Sequence, residues 1–227
     1  MLPEQDGYQP FKDLLSRNQK DVRDVFVALN QTDRPMDQYF IDELLGIPYI
    51  KNGVERIIPS QELVARVGNS EAFGYEGTLY HIIRHVLSRV NPQAGDVVYD
   101  LGAGYGRFCL YGTLTTQAHY KMVEVVHKRV RVAREAQKQY SIENLEVIEA
   151  DVKEYDFSDG NIFYLFNPFS GTTLAVVKEK LEAIAQAKPI TIVTYHMSSD
   201  FYATPWLQRV NDPSDPRSLR IYRSVQT

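Results

Sequence analysis

The sequence predicts an α/β protein: a three-layer sandwich around a mostly parallel seven-stranded sheet, with a C-terminal antiparallel hairpin and an N-terminal helical cap. Three observations predict it. From about residue 77 onward, strand-like and helix-like stretches alternate, which is the pattern of a parallel sheet covered on both faces. A glycine-rich turn, Asp100-Leu101-Gly102-Ala103-Gly104-Tyr105-Gly106, joins the first of these strands to a helix. Near the C-terminus two short apolar stretches flank a polar, proline-containing loop, which reads as a hairpin. With 227 residues, 44% of them apolar and 24% charged, the chain can bury one full core and carry a small appendage.

The N-terminal part reads as helical. Phe11, Leu14, Leu15, Val22, Val25, Phe26 and Leu29 fall on one helical face. Asn30-Gln31-Thr32-Asp33-Arg34-Pro35 breaks that pattern. A second helix is predicted over 36–45, stopped by Gly46 and Pro48. A loop or short strand passes through Ile57 and Ile58. Ser60 then offers an N-cap to a third helix over 61–67. These elements define a helical cap, residues 1–70, in front of a second domain, residues 71–227.

In that second domain an amphipathic helix is predicted over 78–90 and a turn over 91–95. A short buried strand follows at 97–99, and the glycine turn feeds a helix from about Arg107. Strands are predicted over 121–126, 145–149, 161–166 and 190–195, with helices over 127–140 and 172–187. The terminal hairpin comprises 206–210 and 219–223.

Composition narrows the classes of function. A net charge of −4 argues against a generic nucleic-acid binder, which carries a large basic face. Lys121, Lys128, Arg129, Arg131, Arg134 and Lys138 form a locally basic strand and helix, read here as a solvated outer face. The acidic opening lacks the basic-then-apolar order of a secretory signal. No apolar run approaches the roughly 20 residues that span a bilayer. The single cysteine, Cys109, reads as a small buried hydrophobe. The expectation is a cytoplasmic protein without a membrane partner; its oligomeric state stays open.

The chemistry gathers at strand ends. In an open parallel sheet, ligands bind beyond the carboxyl ends of the strands, where strand order reverses. Asp100 ends the first strand, and Gly102, Gly104 and Gly106 allow close backbone approach to a ligand. The helix N-terminus that follows favours an anionic group such as a carboxylate. Glu124 lies near the end of the second strand, where an acid accepts the two ribose hydroxyls of a nucleoside. Asp151 follows the third strand, placed to meet an adenine edge. The order glycine turn, acid, acid after three successive strands points to an adenosine-containing ligand.

The run Val97-Val98-Tyr99-Asp100-Leu101-Gly102-Ala103-Gly104-Tyr105-Gly106-Arg107 resembles the first motif of class I methyltransferases, the Rossmann-like enzymes that use S-adenosylmethionine. The resemblance covers about residues 72–200. It implies S-adenosyl-L-methionine as cofactor, with Asp100, Gly102, Gly104 and Gly106 around its methionine moiety, Glu124 at its ribose and Asp151 at its adenine. It also implies that Asn167-Pro168-Phe169, after the apolar run 162–166, faces the transferable methyl, with Asn167 and Phe169 as catalytic residues.

In layout the chain is similar to the non-SET histone-lysine methyltransferases. Gly74-Tyr75-Glu76-Gly77-Thr78 resembles, in altered order, a loop of those enzymes that precedes the cofactor domain; Glu76 is the candidate for an added cofactor contact. The expected acceptor is a nitrogen on a protein side chain such as lysine. The alternatives are a small-molecule methyltransferase and a non-catalytic cofactor-binding protein. A nicotinamide dehydrogenase is disfavoured because Arg107 stands where its fingerprint needs the third glycine. His196 is a general base if it faces the pocket, and otherwise a structural residue. His81 and His85 have i,i+4 spacing but no evident third ligand, so no metal is expected.

Overall fold

The computed structural model describes residues 24, 26, 38–48, 54–56, 74–197, 201–210 and 212–225. The first described element is α1, Gln38–Leu44, within the helix predicted over 36–45. A two-stranded antiparallel ribbon pairs β1, Val54–Arg56, with β2, Gly74–Glu76. Neither strand stands in the sequence reading; runs of three residues are too short to show a period. The predicted helix over 61–67, the strand through Ile57 and Ile58, and most of the helix through Phe11 to Leu29 lie outside the described residues. Asp24 and Phe26 are helical, and Phe26 is buried with its ring centroid 5.5 Å from that of Tyr111.

The remaining elements follow the predicted order. They are α2, Tyr80–Val90; β3, Val97–Leu101; α3, Arg107–Thr115; β4, His119–Glu124; α4, His127–Gln139; and β5, Leu145–Glu149. Then come β6, Ile162–Phe166; α5, Gly171–Ala187; β7, Thr191–Tyr195; β8, Leu207–Val210; and β9, Leu219–Ser224. Predicted and observed bounds differ by about two residues at most, the usual fraying of element ends.

The seven strands lie in the order β5-β4-β3-β6-β7-β9-β8. The first five are parallel, and β9 and β8 add antiparallel pairs at the β7 edge. Alternation along the strands divides the core in two. From β6, Ile162 and Tyr164 face one layer with α2, α3 and α4, while Phe163 and Leu165 face the other with α5. The predicted three-layer α/β fold is the observed one. Among the described residues no helix is long and apolar enough to cross a membrane.

The topology creates a place where a ligand fits. From β3 the chain runs to β4 and β5 on one side, then crosses back to β6 on the other side of β3. Loops leaving β3 and β6 therefore diverge, and a crevice opens between them at the carboxyl edge.

Candidate functional site

A cavity of about 470 Å³ occupies that crevice. Its floor is the glycine turn after β3, and its walls are the ends of β4, β5 and β6, with β2 lying across one side. Asp100, Gly102, Gly104, Glu124, Asp151, Asn167, Phe169 and Glu76 all line it. Eight of the nine residues singled out from sequence are thus brought together. Gly106 is the exception: a Cβ there would fall 2.8 Å from Met122 Sδ, so this glycine serves the packing of α3 on β4.

The turn itself is held from below. Gly102 and Ala103 N–H both donate to Val123 O, at 2.9 and 3.1 Å, and Gly106 N–H donates to Ala103 O at 2.9 Å. Gly104 N–H donates to Glu124 Oε2 at 2.7 Å. These donors are spent on positioning the turn. Gly102 and Gly104 have φ of +81° and +59°. A Cβ on Gly102 would strike Pro168, and one on Gly104 the ring of Tyr75. What approaches the glycine backbone closely is thus the Asn167-Pro168-Phe169 loop on one side and β2 on the other.

The acids differ in environment. Glu124 is buried, and its second oxygen, Oε1, accepts from Val126 N–H at 2.8 Å and lies 3.7 Å from Arg129 Nη1. Burial raises the proton affinity of its carboxyl, and Arg129 and the backbone N–H donors oppose that rise. Asp100 sits well above the usual carboxylate range, because it is buried and Glu124 adds a like charge. Asp151 is also buried; its Oδ1 accepts from Lys153 N–H at 2.9 Å. Its Oδ2 has no hydrogen-bond partner, although Lys153 Nζ lies 3.5 Å away. A buried carboxylate oxygen without a donor is costly, and one lining a cavity is a ready acceptor for a ligand N–H.

On the opposite wall Thr78 Oγ1 and Tyr164 Oη are hydrogen-bonded at 2.8 Å, and Tyr164 stacks on Phe108 with centroids 4.0 Å apart. Asn167 is exposed at the rim, with φ of +40°. Phe169 is buried and belongs to the α5-side core while its ring also lines the cavity. Glu76 is exposed and near enough to Tyr195 to raise the phenol's proton affinity, secondary to burial.

Three wall residues were not singled out for the site. Tyr75 is buried against Gly104, its ring 4.9 Å from that of Tyr105, and its hydroxyl has no hydrogen-bond partner. Arg107 donates through Nε to Asp42 Oδ1 at 2.8 Å and through Nη2 to Oδ2, and Tyr80 Oη donates to the same Oδ1 at 2.7 Å. Arg107 thereby ties α1 to the first residue of α3. No sequence signal could find this pair, since its members lie 65 positions apart. Arg129 is 2% exposed and lines the cavity, which corrects its assignment to a solvated face. A signal existed: position 129 falls in line with buried Ala133 and Ala136 at helical spacing.

Other candidates stand apart. His196 is exposed, does not line the cavity and lies edge-on to Tyr195 and Phe166. His85 Nε2 is 2.8 Å from Asp215 Oδ1, which fastens α2 to the segment before β9. Cys109 is buried, and burial pushes its thiol's proton affinity well up.

Comparison with known proteins gives likeness of form. No family model and no curated protein matches the sequence. Among solved structures the chain is similar to an RNA methyltransferase from Salinibacter ruber in complex with S-adenosyl-L-homocysteine, at 22% identity and TM-score 0.47, over 65% of this chain and 92% of that one. It is also similar to a SAM-dependent methyltransferase from Aquifex aeolicus, at 13% identity and TM-score 0.49, over 63% and 88% of the two chains. A third, precorrin-6y C5,15-methyltransferase from Geobacter metallireducens, shares 13% identity at TM-score 0.48, over 66% and 90%.

Proposed function

We propose that this chain is a methyltransferase that binds S-adenosyl-L-methionine in the cavity over the glycine turn. The observation that carries the reading is the buried Asp151 Oδ2, which has no hydrogen-bond donor, in the same cavity as Glu124 and the turn. An adenine amino group is the donor that satisfies Asp151 Oδ2. Glu124, whose oxygens accept from Gly104 and Val126 N–H, faces the ribose hydroxyls. Asp100, Gly102 and Gly104 bound the space for the methionine moiety, and Glu76 reaches the cofactor from β2.

Bound there, the cofactor supplies an electrophilic methyl on a sulfonium. The chain's own task is then to align an acceptor lone pair and exclude water. Asn167, at the rim, orients the acceptor by hydrogen bonding, and Phe169 walls its path. A nitrogen acceptor must arrive neutral; for a protein lysine, a desolvated site beside the sulfonium lowers the ammonium pKa. Asp42 of α1 is joined to the site by its pair with Arg107.

Calorimetry with S-adenosyl-L-methionine, with NAD as control, tests the reading, followed by labelled-methyl transfer into protein, RNA and metabolite pools. Binding of the first ligand alone and label in one pool are expected. No binding of S-adenosyl-L-methionine overturns the cofactor assignment. Binding without label in any pool leaves a non-catalytic cofactor binder and overturns the enzyme.

A further inference from the structure

Arg129 is an unusual neighbour for a nucleoside site. It is 2% exposed, its Nη1 lies 3.7 Å from Glu124 Oε1, and its guanidinium carbon sits 5.5 Å from the Tyr75 ring centroid. A fully buried arginine carries a desolvation cost that packing alone does not recover, so its position calls for an electrostatic partner. Glu124 supplies one such partner. The other groups facing Glu124 are unfavourable or engaged: Asp100 on β3 is a second buried acid, and a charge on either disfavours a charge on the other. Glu149, opposite Glu124 in the β4–β5 ladder, is taken up by His127 and Arg134. Asp151, beyond β5, is a further acid on the same cavity, and Arg107 on α3 is paired with Asp42.

Two of these observations meet at the ribose position. A protonated Glu124 has one oxygen committed as a donor and cannot accept two hydroxyls while keeping both backbone N–H bonds. An ionised one can. We propose that Arg129 is a positioning residue for ribose recognition: its buried cation holds Glu124 as the anion that accepts the ribose diol. This rests on the cofactor assignment proposed above. Through the face of Tyr75, Arg129 also braces the residue that covers Gly104, so the ribose site and the β2 wall share one support.

The test compares wild type with Arg129→Met, Arg129→Lys and Arg129→Met/Glu124→Gln. Binding of S-adenosyl-L-homocysteine is measured by calorimetry between pH 6 and 9, and thermal unfolding of the ligand-free proteins over the same range. Removing the cation raises the proton affinity of folded Glu124, so more of it is neutral near pH 7. The expected result for Arg129→Met is an affinity lowered at least tenfold at the acid end and partly recovered as pH rises. Arg129→Lys, which keeps the charge, should restore most of the affinity and the flat profile of wild type.

Without ligand, the Arg129→Met protein should lose more stability relative to wild type at high pH than at low, because folded Glu124 must then ionise unpaired. Glu124→Gln in the same chain should abolish that pH-dependent difference, a readout that needs no cofactor. An Arg129→Met affinity as flat with pH as wild type, or an unfolding difference that Glu124→Gln leaves unchanged, overturns the proposal. Failure of wild type itself to bind S-adenosyl-L-homocysteine at any pH instead overturns the cofactor assignment. Should Arg129→Met not fold, Arg129→Lys against Arg129→Gln carries the same comparison.

Discussion

At the residue scale, the glycine turn does something other than its sequence suggests. Its N–H groups at 102, 103 and 104 are consumed by Val123 and Glu124, and the space at Gly102 and Gly104 is filled by Pro168 and Tyr75. The glycines are needed because two other segments lie against them. Gly104→Ala should therefore be costly twice over. A left-handed backbone costs a residue with a Cβ about 1–2 kcal/mol, and the contact with Tyr75 adds to it. Denaturant unfolding should show a loss of roughly 2–4 kcal/mol. A loss below about 0.5 kcal/mol would show that Tyr75 yields freely and is no wall of the site. The residue types at 100, 124 and 151 were legible because each lies at or just beyond the carboxyl end of one of three successive strands. Arg107 was not, because its role depends on Asp42, whose proximity no local spacing encodes.

At the element scale, α2 and the terminal hairpin are joined by charge. His85 Nε2 and Arg89 Nε both reach Asp215 Oδ1, at 2.8 and 2.9 Å, and Arg89 also donates to Oδ2 at 3.3 Å. Burial alone would raise the proton affinity of Asp215, but its bonds to Arg89 and His85 outweigh burial and hold its carboxyl below the usual range. A carboxyl depressed in the folded state contributes stability above its unfolded pKa, and that contribution is lost as pH falls through the folded value. Asp215→Asn should thus lower stability at pH 7 by about 1 kcal/mol, with a smaller difference from wild type at about pH 3. Unfolding curves at both pH values check this. An equal loss at both would mean that Asp215 acts by shape alone. The hairpin was legible from its two apolar runs and polar loop. Its tether was not, since Asp215 lies 130 positions from His85 and no local spacing brings the two together.

At the scale of the whole molecule, the cavity is shared by loops from β2, β3, β4, β5 and β6, so a ligand there bridges most of the sheet. Binding to the folded state alone stabilises it by about 2.7 kcal/mol at one hundred times the dissociation constant. For a chain of this size that corresponds to a rise in Tm of roughly 5–10 °C. S-adenosyl-L-homocysteine at that excess should produce it, and NAD should not; no shift with either would remove the cavity as a nucleoside site. By itself the sequence determined the fold class, the element order and the strand-end acids, because periodicity and turn residues act over a few positions. The tertiary structure decided what the glycines make room for, that Arg129 faces inward beside Glu124, and that His196 stays outside the cavity. Those outcomes depend on which strands and helices lie side by side, and that is settled by packing across the sheet, where residues far apart in the chain first meet.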